Sequence, residues 1–140
     1  QIIGCKWNNE EYALEINNVQ EILKISKITR VPRTKKYIMG VTNLRGIIVP
    51  IIDMNLRFGM EKKEYTEKQR IMILKIGAIF VGMIVDNVSE VIEIKSDQIF
   101  VNPTITASIN QEYIRGVAKL NDERLLTLLN IEKILEIAKN

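Results

Sequence analysis

Few residues in this chain could do chemistry, and they are scattered. There is no histidine, which removes imidazole acid–base catalysis and imidazole metal ligands. The one cysteine, Cys5, excludes an internal disulfide and any multi-cysteine metal site; in its strand-like setting it reads as a small core residue. Asp53 and Asp86 each follow an apolar run. As a carboxylate pair they would suit general acid–base work, but an aspartate at a strand end reads first as a turn cap bonding local backbone. No phosphate-cradling glycine motif is present, and Ser26, Ser89, Ser96 and Ser108 lack a nucleophile-elbow context. Tyr12, Tyr37, Tyr65 and Tyr113 are dispersed, and Trp7 and Phe58 read as core. That leaves Arg45, followed by Gly46. A guanidinium fixed beside a glycine that admits a close backbone is equipped to bind rather than to break bonds. The alternative is an exposed arginine in a tight turn.

Arg45 lies inside the stretch that organises the chain, Tyr37 to Phe58 (YIMGVTNLRGIIVPIIDMNLRF). Arg45-Gly46 is a turn signal. Ile47 to Ile52, apolar apart from Pro50, reads as a fully buried strand. Pro50 must sit at a bulge, or where its missing N–H faces no neighbour. Tyr113 to Leu135 (YIRGVAKLNDERLLTLLNIEKIL) repeats the pattern, with Gly40-Val41 matching Gly116-Val117 and Ile48–Ile52 matching Leu125–Leu129 after a longer turn. Upstream, Ala13–Ile25 matches Gly82–Ile94 through Asn18, Val19 and Glu21 against Asn87, Val88 and Glu90. One supersecondary unit is therefore used twice, in halves of about 1–66 and 67–140 within a single domain spanning 1–140. The second copy has Asn121-Asp122-Glu123 where the first has Arg45-Gly46, so Arg45 looks like a feature that the shared fold does not demand.

The 140 residues, 46% of them hydrophobic, can form a core, but half of them alone would be marginal, so the halves must share one. Twenty basic residues against 17 acidic give a net charge of +3. The excess is small and scattered, with no stripe of the kind that reads nucleic acid. With aromatics at only 6%, a small-barrel nucleic-acid binder is disfavoured. The uncharged apolar run Ile76 to Val85, with Lys75 before it, and the more polar uncharged stretch Gln98 to Gln111 are both short of the roughly 20 apolar residues a membrane helix needs. Short strands at close intervals, in two copies, predict small antiparallel barrels. Asn130 should cap a closing helix over Ile131 to Ala138, whose Ile131, Ile134, Leu135 and Ala138 share a face.

The segment VTNLRGIIVPIID at Val41–Asp53, following Tyr-Ile-x-Gly, resembles the signature of the CheW family of bacterial chemotaxis adaptors. The resemblance runs from Glu11-Tyr12 through Val19-Gln20-Glu21-Ile22 and Val85-Asp86-Asn87-Val88 to Asn130-Ile131-Glu132-Lys133, essentially the whole chain. It implies a mainly β protein of two SH3-like five-stranded antiparallel barrels sharing a core, with a short C-terminal helix. It implies a cytoplasmic, non-catalytic scaffold without cofactor, recruited to receptor clusters. Its partners would be the regulatory domain of the histidine kinase CheA and the cytoplasmic tip of a methyl-accepting chemoreceptor, lying between the barrels, with no nucleic acid and no membrane insertion. Carried over by motif, Val19, Glu21, Gly40, Asn43 and Arg45 would face receptor or kinase. Ile28 and Val31 on one barrel, and Phe100 and Ile105 in the long irregular segment of the other, would meet the kinase or a neighbour. A CheW-like regulatory domain cut from CheA, or from a CheV protein, fits the same motifs; a chain ending with its closing helix favours the standalone adaptor.

Arg45→Ala and Val19→Asp should leave the fold intact, by circular dichroism, while weakening partner binding. Unchanged affinity for both partners, or an unfolded variant, would remove these residues from the interface.

Overall fold

The computed structural model describes residues 1–25, 28–29, 37–59, 64–101 and 111–139. Strands β1 (Ile2–Trp7) and β2 (Glu10–Glu15) form a hairpin turned by Asn8-Asn9. Both asparagines have positive φ, the geometry whose twist matches the flanking strands. A 3-10 turn leads to β3 (Val19–Lys24). Then come the hairpin β4 (Ile38–Leu44) and β5 (Ile47–Asp53) and the single helical turn α1 (Met54–Arg57). The second half supplies the hairpin β6 (Arg70–Ile76) and β7 (Ile79–Val85), then β8 (Asn87–Ile92), the two-residue β9 (Ile99–Phe100), the hairpin β10 (Ile114–Lys119) and β11 (Leu125–Leu129), and helix α2 (Ile131–Lys139).

Two sheets result, ordered β3-β6-β7-β5-β4 and β8-β1-β2-β11-β10-β9. Under the sequence repeat, β1–β2 corresponds to β6–β7, β3 to β8, and β4–β5 to β10–β11; the first order then maps onto the second, with β9 added at its edge. Each sheet is thus a mixture. It takes the opening hairpin of one repeat and the three later strands of the other. The stitching is parallel, through Ile51↔Gly82, Ile52↔Met83 and Asp53↔Ile84 in one sheet and Thr127↔Tyr12 and Leu128↔Ala13 in the other. The sheets therefore do not part at the midpoint of the chain, although the repeat itself holds strand for strand.

The repeated Tyr-Ile-x-Gly motif has a local cause. The N–H groups of Asp53 and Asn130 donate to the carbonyls of Tyr37 and Tyr113, each at 2.8 Å. One residue is bulged out between Ile38 and Gly40, and one between Ile114 and Gly116. Gly40 takes a φ of 142° there, a backbone state that side chains rarely adopt.

Alternation along the central strands builds three clusters. Ile71, Ile73 and Ile84 point inward with Leu44, Val49 and Ile51, filling one barrel. Ile2, Ala13, Ala118, Leu120, Leu126 and Leu128 fill the other. The opposite faces, Met72, Leu74, Met83 and Val85 against Cys5, Trp7, Tyr12 and Leu14, meet in a core between the sheets, joined by Ile131, Ile134 and Leu135 of α2. The fold is accordingly two SH3-like barrels sharing a core, with a short C-terminal helix. Asn130 caps that helix, accepting from the Lys133 N–H at 3.4 Å. Cys5 is buried, and burial pushes its thiol pKa up.

One strand departs from expectation. The run Ile47–Ile52 is buried only from Val49 inward, apart from the partly exposed Pro50, whereas Ile47 and Ile48 are exposed. Pro50 lies opposite Val41, one residue before the first β5–β7 pair.

Polar and aromatic contacts close one side of the junction. Trp7 stacks on Tyr12 at 3.6 Å, and Phe58 meets Tyr113 edge-on at 5.3 Å. The Arg57 guanidinium lies over the Tyr37, Phe58 and Tyr113 rings and donates to the Tyr113 hydroxyl at 2.8 Å. Asp86 accepts from the Asn8 N–H and from the Asn55 and Gln69 side-chain amides. Asp53 caps α1 through the Leu56 N–H and accepts from the Tyr65 hydroxyl at 3.1 Å. Asp53 is thus the local cap read from the sequence, whereas Asp86 departs from that reading: the groups it holds are distant in the chain, an N–H of the β1–β2 turn and two side-chain amides. Burial raises the Asp53 pKa above the ordinary carboxylate value, and the Asp86 charge adds to the rise, against the pull of the Leu56 and Tyr65 hydrogen bonds.

A Cβ on Gly82 would fall 2.4 Å from Ile51 Cδ1 and 3.0 Å from Ile71 Cγ2, so Gly82→Val should cost about 1–3 kcal/mol in denaturant unfolding; an unchanged midpoint would contradict the packing. Folded Asp53 holds its proton more tightly than the unfolded chain does. Its favourable contribution is therefore complete below the ordinary carboxylate pKa and is lost as pH rises through the raised one. Asp53→Asn, which cannot ionise and matches the counterpart Asn130, should be more stable than the parent at pH 7. The gap should close as pH falls through the raised range, and a pH-independent difference would refute this.

Candidate interaction surface

The β4–β5 turn sets the site. Arg45 and Gly46 have φ of 51° and 87°, the pair of positive values that a two-residue hairpin requires. Asn43 fixes the turn, its Oδ1 accepting from the Gly46 N–H at 2.8 Å. Held this way, Arg45 projects into solvent with 72% of its side chain exposed and reaches across the mouth of the barrel to β3, where its Nη2 lies 3.3 Å from Glu21 Oε1. Glu21 differs at its other oxygen, since Oε2 is buried and has no hydrogen-bond partner among the described residues. The structure therefore brings Glu21, Asn43 and Arg45 together at one end of one barrel.

The remaining carried-over residues sit differently. Val19 opens β3, partly buried against the shared core. Gly40 is buried in β4, so it shapes this surface through its backbone and offers no exposed face of its own. Ile28 is partly buried against the core of the same barrel. Beside it, Thr29 exchanges backbone hydrogen bonds of 2.7 and 2.8 Å with Val41, closing the barrel over the β4 edge. Phe100 lies on β9 with half its surface exposed, and Val101 beside it is more exposed still. Val31 and Ile105 lie outside the described residues.

Sequence reasoning missed an apolar row next to Arg45. Ile48 is 61% exposed and lies opposite Asn43. The β5–β7 register, continued back from Ile51↔Gly82, sets it beside Ile79, which is also exposed and pairs with Ile76. Ile76 in turn forms one wall of a groove of about 400 Å³ at the junction of the barrels. Asn18 lines the groove from the same side, and Leu129, Ile131, Glu15 and Arg115 line it from the other; Arg115 and Glu15 form an ion pair. A signal for Ile48 was available, because its partner in a two-residue hairpin, Asn43, is polar.

Arg45 does have a counterpart in the second copy, contrary to the expectation from the aligned turns. Arg124, the residue before β11, lies 2.8 Å from Glu90, and Glu90 is the repeat counterpart of Glu21. A longer turn displaces the arginine by a few positions in sequence, yet the contact recurs. Arg124 is also held by Asp122 at 2.9 Å and by Glu11 at 3.7 Å. The Glu90 hydrogen bond leads the interactions that raise its pKa.

Among the described residues, no helix is long and apolar enough to cross a membrane. The chain is 42% identical over 127 residues to the chemotaxis protein CheW of Klebsiella aerogenes, covering 91% of this chain and 76% of that one. It is 38% identical to the CheW of Helicobacter pylori, over 97% of this chain and 81% of that one. The crystal structure of the scaffolding protein TtCheW from Thermoanaerobacter tengcongensis superposes with a TM-score of 0.83 at 36% identity, covering 92% of this chain and 87% of that one. A family model described as the CheW-like domain matches residues 1–139. With the two-barrel fold and the Asn43–Arg45 turn, these matches establish that the chain belongs to the CheW-like domain family.

Proposed function

We propose that this chain is a non-catalytic adaptor of bacterial chemotaxis signalling, coupling the cytoplasmic tips of transmembrane chemoreceptors to the regulatory domain of the histidine kinase CheA. The observation that carries this reading is the exposed row Asn43–Ile48–Ile79, which runs from the Arg45 turn towards the groove between the barrels. Exposed isoleucines in line on a rigid sheet are suited to covering by a partner. Their continuity with a groove suits the apolar face of a helix, the mode in which helical hairpins dock. Phe100, at the end of the edge strand of the other sheet, and Val101 just beyond it offer a second and separate apolar contact. In this reading the kinase meets the barrel closed by Ile28 and Thr29, with Phe100 serving the second kinase or neighbour contact.

Calorimetric titration with the regulatory domain of a cognate CheA tests the reading. Saturable one-to-one binding, weakened about tenfold or more by Ile28→Ala or Val31→Ala as for interface anchors generally, is the expected result. No binding at high micromolar concentration by the folded protein would contradict it. That outcome would favour a regulatory domain belonging to a kinase or CheV chain.

A further inference from the structure

Lys24 ends β3 and Arg70 begins β6, and the antiparallel register sets them directly opposite each other. Like charges at such a pair destabilise a sheet, so nearby acids would be expected to compensate them. Among the described residues, neither cation forms an ion pair. Arg70 instead places Nη1 on the carbonyls of Glu67 and Gln69. The turn it grips is fastened in its own right. Gln69 Oε1 accepts from the Thr66 N–H at 2.8 Å, and the Gln69 side-chain amide donates to Asp86 at 2.9 Å. Lys24 and Arg70 line a cavity of about 490 Å³, together with Ile25, Tyr65, Thr66 and Glu67. Strand β6 runs from Arg70 to Ile76, so this cavity lies at the opposite end of the strand from the groove between the barrels.

We infer that this cavity binds a small organic phosphate, with the phosphoryl group between Lys24 and Arg70 and the organic part against Ile25 and Tyr65. The choice of ligand rests on charge and shape. Two uncompensated cations call for a doubly charged group, which a phosphate monoester supplies near neutral pH and a single carboxylate does not. A guanidinium matches phosphate oxygens with its fork of N–H donors, and an ammonium adds a point charge. Thr66 contributes a hydroxyl donor. The volume falls in the range of small-molecule sites, about 300–1,000 Å³, which leaves room for an organic body. Glu67 suits a hydroxyl or amine donor on that body and opposes a ligand carrying further negative charge. Because Gln69 holds the turn before any ligand arrives, little ordering is left for binding to impose. An occupying anion also removes the repulsion between the two strands.

The site stands independently of the adaptor reading. Its test is an NMR titration of the isotope-labelled protein with phenyl phosphate, and separately with inorganic phosphate, at constant ionic strength. Saturable shifts centred on the amides of Lys24 and Thr66 to Arg70 are expected with phenyl phosphate. Lys24→Gln and Arg70→Gln should each weaken it about tenfold, the loss of one charge-assisted contact. Inorganic phosphate should shift the same amides with lower affinity; equal affinity would overturn the organic ligand. Arg70→Gln also removes a turn contact, so Lys24→Gln carries the decision. Without ligand, its thermal midpoint should equal or exceed the parent's, because it relieves a like-charge pair. A lower midpoint would make Lys24 a support of the fold and overturn the inference. So would shifts that do not saturate, or that persist unchanged in Lys24→Gln.

Discussion

The rest of this structure depends on two short parallel pairings, β5 with β7 and β11 with β2. Each joins a strand of one sequence repeat to a strand of the other. Without them neither sheet would have its five shared strands, and the opening hairpins would have nothing to close. Because each repeat lends its first hairpin to the other's sheet, the halves cannot separate without opening both barrels. The core between the sheets, where Met72, Leu74 and Met83 meet Cys5, Trp7 and Tyr12, is buried as a consequence, and α2 covers it. A chain whose halves would be marginal alone gains in this way one undivided body.

That body suits an adaptor. A protein that transmits a change between two partners needs faces whose relative position does not drift. On one side of the junction the Arg57 cluster of aromatic rings and the Asp86 hydrogen bonds bridge the two sheets. On the other side a groove remains, walled by Ile76, Leu129 and Ile131. The pseudo-symmetry of the fold is thus broken at two places: at the junction, where only one side is filled, and at the barrel mouths, where Arg124 has three acidic partners and Arg45, among the described residues, has one. Both departures fall on the surface carrying Arg45, Ile48 and Ile79.

Much of this was legible in the sequence, for local reasons. The hairpin turns at Asn8-Asn9 and Arg45-Gly46, the Asp53 and Asn130 caps and the face shared by Ile131, Ile134 and Leu135 are each specified within a few residues. So is the Tyr-Ile-x-Gly repeat, whose bulge and cap bond recur in both halves. The exchange of hairpins was not legible, because a parallel pairing between Ile51 and Gly82 leaves no mark in either segment. Nor was the exposure of Ile47 and Ile48, since an apolar run does not reveal where its cover ends. The Arg124–Glu90 contact was hidden by a turn of different length, which moved the arginine out of register with Arg45 while keeping it within reach of the same glutamate position.

If one rigid body serves two partners at once, both must assemble on it together. Light scattering coupled to size exclusion, on a mixture of this protein, a chemoreceptor cytoplasmic hairpin and the CheA regulatory domain, measures the mass of what forms. One species whose mass is the sum of all three is expected. Binary complexes only, with the kinase domain displacing the hairpin as its concentration rises, would mean that the two partners compete for one face and would contradict it.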